Sequence, residues 1–143
     1  MRFMVLVKAS PESEAGQMPS QDELMAMGKY NEELVKAGVM LDGGGLHPSS
    51  KAARIHIDDG KASVTDGPFA ETHELVAGYW LWECGSLAEA IEWGRRCPGD
   101  GAKGGFNMEI RQLFDLADFE DGPGIEQHHK VAAEMAERET SQS

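Results

Sequence analysis

Two periodicities alternate along the chain. Residues 2–8, RFMVLVK, form a short apolar run of the kind that makes a buried strand. Residues 9–19 contain Pro11, Gly16 and Pro19 and are expected to form a loop. From residue 20 the period becomes helical. Leu24, Met27, Leu34 and Val35 give an apolar stripe, Ser20 and Glu23 have capping-box spacing, and Gly38 stands just past the expected end at Ala37. Asn31 interrupts that stripe, either as a solvent-wetted helix edge or as a polar group facing a cleft. Residues 39–46 return to strand character, loosened by Gly43, Gly44 and Gly45, where a bulge or a close neighbour is expected.

Residues 53–57 and 62–65 read as short strands joined by Asp58-Asp59-Gly60-Lys61, a hairpin signal. A strand follows at 75–83. Ser86 and Glu89 then open a second helix as a capping box, with Leu87, Ile91 and Gly94 on one face and Pro98-Gly99 as its stop. Residues 107–114 are the last strand. The order β-α-β, hairpin, β-α-β predicts an α+β fold, a ferredoxin-like sandwich with an antiparallel sheet and two helices on one face.

The strand at 75–83 carries Leu75, Ala77, Tyr79 and Leu81 on one side and Val76, Gly78, Trp80 and Trp82 on the other. Neither side is polar, so both are expected to be buried. Helices cover one side. A second copy of the sheet is the economical cover for the other, which predicts a homodimer with Tyr79, Trp80 and Trp82 packed at its interface, the alternative for these three being the lining of an apolar cavity.

The domain is expected to span residues 1–119, with 120–143 an acidic tail. After Gly122-Pro123-Gly124 a short helix is expected, with Ile125, His129, Ala132 and Met135 or Ala136 along one side and ETSQS fraying at its end. The net charge is −12, and residues 115–143 hold eight acids against two bases. That balance argues against a nucleic-acid partner, which needs clustered Lys and Arg. No apolar run approaches the ~18–20 residues of a membrane span. The N-terminus lacks a signal-peptide pattern, so a cytoplasmic location and no membrane partner are expected. Cys84 and Cys97 flank a helix of about a dozen residues, too far apart for a disulfide.

The segment TDGPFAETHE, residues 65–74, concentrates the candidate chemistry. Pro68 has no amide hydrogen, so Asp66 is denied the usual partner two residues on. Its carboxylate must turn to the Phe69 or Ala70 amide, to water or to a side chain. Gly67 permits an unusual backbone angle, and Phe69 is expected as a core anchor. The turn either fixes strand register or presents Asp66 to a cleft. His47, after the glycines and before Pro48, is the candidate imidazole, and beside Asp66 it would make a general acid–base pair. Arg54, Glu71, Glu74, His73 and Asn31 are candidate ligand contacts. His73 with its acidic neighbours does not have metal-ligand spacing, and adjacent His128 and His129 point about 100° apart, so no metal site is expected. GDGAKGG lacks the phosphate-loop pattern and follows a helix, so no cofactor is indicated.

With GGGLHPSS before it and EAIEWGRRCP after, TDGPFAETHE resembles the DGPF branch of the YCII-related family. NEELVKAGVML at 31–41 and EIRQLF at 109–114 extend the likeness from Met1 to Phe119. The resemblance implies a ferredoxin-like fold paired into a dimeric α+β barrel. It also implies an active-site His–Asp pair, proposed for related proteins, and genes often placed near extracytoplasmic-function sigma factors. His73 stands where the branch commonly has lysine. Two functions follow as expectations. One is a dimeric small-molecule-binding protein or enzyme, with His47 and Asp66 catalytic. The other is an interaction or regulatory protein with a sigma-factor-linked partner, presenting its acidic tail or one sheet edge.

Overall fold

The computed structural model describes residues 1–142 as two units, Met1–Gln112 and the segment from Leu113 onward. The first contains β1 (Arg2–Lys8), α1 (Pro11–Glu14), α2 (Gln21–Lys36), β2 (Met40–Gly45), β3 (Ala53–Asp58), β4 (Lys61–Asp66), β5 (Val76–Glu83), α3 (Leu87–Arg95) and β6 (Met108–Gln112). The main sheet is antiparallel in the order β2-β5-β1-β6, and β3 and β4 form a separate hairpin. The mixed α+β class and the β-α-β, hairpin, β-α-β order are therefore those expected.

One face of the sheet carries the core. Phe3, Val5, Trp80 and Trp82 are buried with Tyr30 and Leu34 of α2 and Ala90 of α3. The two tryptophans thus lie under the helices of their own chain, which corrects their assignment to a dimer interface. Trp80 donates from Nε1 to Asn31 Oδ1 at 2.9 Å, so a buried indole N–H is satisfied by the residue that breaks the α2 stripe. Trp82 Nε1 is buried with no hydrogen-bond partner among the described residues. The opposite face, in the middle of the sheet, presents Met4 and Leu6 of β1 beside Tyr79 and Leu81 of β5, all half-buried. Neither α2 nor α3 packs on that side.

The helix faces differ in detail from expectation. On α2 the inward residues are Met27, Tyr30 and Leu34, while Leu24 and Val35 are exposed. Tyr30 was masked in the sequence by its polar tip, which donates to Trp93 O at 2.6 Å. On α3 the inward side is Ala90, Trp93 and Gly94, not Leu87 and Ile91, which are exposed. A Cβ on Gly94 would lie 3.2 Å from Met108 Sδ, so the glycine lets α3 sit close to β6. Ser86 caps α3 by accepting from Glu89 N, but Glu89 Oε2 accepts from Gly85 N in place of the expected return bond.

Two of the three glycines of β2 have a packing reason, one on each face, while a Cβ on Gly45 would meet nothing within 4 Å. A Cβ on Gly43 would stand 3.0 Å from Trp80 Cδ1, and one on Gly44 would stand 3.3 Å from the Tyr79 ring. A register shift also falls between Met40 and Asp42. In the hairpin, Asp59 (φ 48) and Gly60 (φ 74) form the expected two-residue turn. Every residue of β3 and β4 is exposed, and Ile55, Ile57 and Val64 share one face.

In the second unit the Phe114 and Phe119 rings pack at 5.1 Å. Its helix α4 spans Pro123–Gln142, longer than the short helix expected. Residues 139–142, part of the stretch expected to fray, are helical, and Ser143 lies outside the described residues. Of the apolar side expected for α4, only Ile125 is half-buried. No helix among the described residues is long and apolar enough to cross a membrane. Cys84 and Cys97 are free thiols.

Burial pushes the Tyr30 phenol above its ordinary value, and it pushes the Cys84 and Cys97 thiols up in the same way. In the unfolded chain these groups lose their protons first, so the folded state loses relative stability as pH rises. Stability is expected to fall from about pH 8.5 as the thiols titrate, and more steeply above about pH 10 as tyrosine does. Urea midpoints measured from pH 8 to 10.5 should show both limbs, and Tyr30→Phe should flatten only the upper one.

Candidate functional site

The site grows from a junction of three segments distant in sequence. The first is α1, which falls inside the stretch expected to be loop. Ser10 caps it by accepting from Ser13 N at 3.1 Å, Ser13 Oγ accepts in return from Ser10 N, and Pro11 occupies the first turn. Those are standard start signals at minimal length, too short for a periodic pattern to reveal. The helix ends at Glu14, which reaches the second segment, the 3-10 turn Ser49–Lys51. Ser49 N donates to Glu14 Oε1 at 2.9 Å, and Ser49 Oγ donates to Glu14 Oε2 at 2.5 Å.

The third segment is the Asp-Gly-Pro-Phe turn. Phe69 N donates to Ser49 Oγ at 3.0 Å, and Gly67 N donates to Ala52 O at 2.9 Å. Ser49 is only 6% exposed, and its hydroxyl both accepts and donates, so its burial is compensated. Gly67 has no positive φ; its necessity is spatial. A Cβ there would fall 1.7 Å from Ser49 O, a backbone atom. The unusual angle expected of Gly67 is therefore replaced by a close approach. The Phe69 amide, one of the partners open to Asp66, is taken by Ser49.

Beside this junction lies a cavity of about 390 Å³ that opens broadly to solvent. Glu14, His47, Ser49 and Lys51 supply its polar lining, and Leu46, Phe69, Leu75 and Val76 its main apolar walls. Phe69 is half-buried against the cavity and is not part of the core expected for it. Its other contact is with Arg54, whose guanidinium carbon sits 3.8 Å from the ring centroid.

Of the residues expected to act together, His47 is exposed on the cavity wall. Asp66, at the end of β4, is exposed and is not a lining residue, and no hydrogen bond or ion pair joins it to His47. Arg54 is placed against Phe69. Asn31 is engaged with Trp80. Glu71 precedes the 3-10 turn Thr72–Glu74, His73 lies within it, and both are exposed away from the cavity lining. Among the described residues no cluster of His, Cys, Asp and Glu could hold a metal ion. Glu14 and Ser49, the best-connected polar pair at the site, were not among the expected residues. The Ser-Pro start at residue 10 and the placement of Glu14 one turn later were the available signal.

A model of the YCII-related domain matches residues 1–114. The chain belongs to the YCII-related family. Residues 1–114 take in the main sheet, the hairpin and the whole cavity, so the site lies inside the YCII-related domain. A relative in Rhizobium meliloti (strain 1021), described as an uncharacterised protein, is 37% identical over 79 residues. The match covers 55% of this chain and 63% of the relative's length. Among solved structures, 5-chloro-2-hydroxyhydroquinone dehydrochlorinase from Burkholderia phenoliruptrix AC1100, in complex with 2,5-dihydroxybenzoquinone, is similar at a TM-score of 0.42 and 16% identity. That likeness covers 84% of this chain and all of the other.

The junction makes a graded stability prediction. Ser49→Ala strands the Phe69 amide and removes one of the two bonds to the Glu14 carboxylate, and should cost about 2–3 kcal/mol. Gly67→Ala forces backbone apart and should cost about 3 kcal/mol or more, whereas Asp66→Asn should stay within about 0.5 kcal/mol. Urea unfolding followed by tryptophan fluorescence reads this order directly.

Proposed function

We propose that this chain binds a small organic molecule in the cavity under the Asp-Gly-Pro-Phe turn, with His47 as its proton-transfer group. The observation that carries this reading is the cavity itself. Its volume of about 390 Å³ falls in the range of small-molecule sites, and its walls combine apolar surface with a few convergent polar groups. Imidazole is the side chain suited to take or give a proton near neutral pH. Asp66 has no part in this reading, because nothing brings it to the lining. The TDGPF segment supports placing the chain in the DGPF branch of its family. No observation favours a sigma-factor-linked partner over a small ligand.

The test is a fragment screen on the full ¹⁵N-labelled chain by NMR. Single-ring fragments at millimolar concentration should shift the amides of Leu46, His47, Phe69 and Val76 together. Hits that map elsewhere, or none at all, defeat the reading.

The same proposal includes a homodimer of ferredoxin-like subunits closed into an α+β barrel. Its support is the half-buried apolar face of Met4, Leu6, Tyr79 and Leu81, with the unpaired Ile55, Ile57 and Val64 face of the hairpin. Sedimentation velocity at micromolar concentration should give about twice the 15.6 kDa chain mass. Leu81→Glu should give single chains with an unchanged circular dichroism spectrum. A wild-type chain that sediments as a monomer removes the dimer.

A further inference from the structure

The carboxylate on the cavity wall is Glu14. Its two oxygens are held by the amide and hydroxyl of Ser49, at 2.9 and 2.5 Å. A carboxylate oxygen has more than one acceptor position, so each retains capacity after a single bond. Its orientation is fixed from two sides, because the Ser49 hydroxyl is itself anchored by the Phe69 amide. The lining also holds Lys51, of opposite sign, so formal charge there selects neither anions nor cations. The remaining walls, Leu46, Phe69, Leu75 and Val76, offer apolar surface to the rest of a ligand. An acceptor in such a place calls for a donor on the ligand.

We propose that Glu14 is the ligand-binding carboxylate of this cavity, and that it accepts a hydrogen bond from the hydroxyl of a compact, neutral, largely apolar molecule. This rests on the small-molecule reading above and specifies its ligand class. It puts Glu14, one helix end away from the Asp-Gly-Pro-Phe turn, in the position that the sequence suggested for Asp66. Ser49 does not meet the ligand in this arrangement; it holds Glu14 in place.

The experiment compares benzyl alcohol, benzyl methyl ether and benzoate by NMR titration of the full chain. The alcohol should bind with saturable shifts at Phe69 and Val76 and at least tenfold more tightly than the ether, which lacks the donor. Benzoate should bind more weakly than the alcohol. The side-chain carboxyl ¹³C resonance of Glu14 should titrate with the same dissociation constant, a readout that needs no variant. In Glu14→Gln the preference for alcohol over ether should shrink toward unity, while Asp66→Asn should keep it. Equal binding of alcohol and ether at cavity amides overturns the Glu14 assignment and leaves the cavity reading standing. So does an alcohol preference that survives Glu14→Gln or vanishes in Asp66→Asn. Benzoate binding as tightly as the alcohol overturns the neutral ligand class. No shift at any cavity amide with all three probes overturns both proposals.

Discussion

The buried hydroxyl of Ser49 joins three segments that share no secondary structure. It accepts from the amide of Phe69 and donates to Glu14, while its backbone carbonyl leaves no room for a side chain on Gly67. Remove that hydroxyl and an amide and a carboxylate both lose a partner in a half-buried place, where water replaces them poorly. The cavity depends on this junction, because Glu14, Ser49 and Phe69 all line it. The dependence also explains why a four-residue helix persists. Its caps fix Pro11–Glu14 locally, and its last residue is tied down from outside.

The sheet supplies the second constraint. Trp80 and Trp82 fill the space beneath α2 and α3, and their rings are 5.7 Å apart. Such bulk on one strand requires its neighbour to be small. Gly43 gives room to Trp80 on the helix face and Gly44 gives room to Tyr79 on the other. The three glycines then run on through Leu46, whose amide still pairs with Ala77 O, directly into His47. β2 ends at Gly45, and the cavity lining begins at the next residue, Leu46.

Regular elements with a full period were legible from the sequence. The Ser20 capping box, the Asp59-Gly60 turn and the β-α-β order needed only local rules, and all are present. What the sequence hid was direction and long-range pairing. Alternation along β5 showed two apolar sides but could not say which one met the helices, so the tryptophans were assigned to the wrong partner. Leu24, Val35, Leu87 and Ile91 looked like core because they are aliphatic, yet Tyr30 and Trp93 took the inward positions and closed a hydrogen bond between the two helices. At the site, His47 was legible as a histidine in a Gly-Pro context. Glu14 was not, since its importance comes from Ser49, 35 residues away. No spacing rule links them.

The core and the cavity draw on separate residues. None of the buried cluster of Phe3, Val5, Tyr30, Leu34, Trp80 and Trp82 lines the cavity. The lining comes from the end of α1, the turn after β2, the Asp-Gly-Pro-Phe turn and the first residues of β5. Segments of this kind can change without a loss of packing energy, whereas the core cannot. Gly67 and the backbone of residue 49 must stay in contact for the turn to dock. In this chain the acidic side chain that reaches Ser49 on the cavity wall is Glu14.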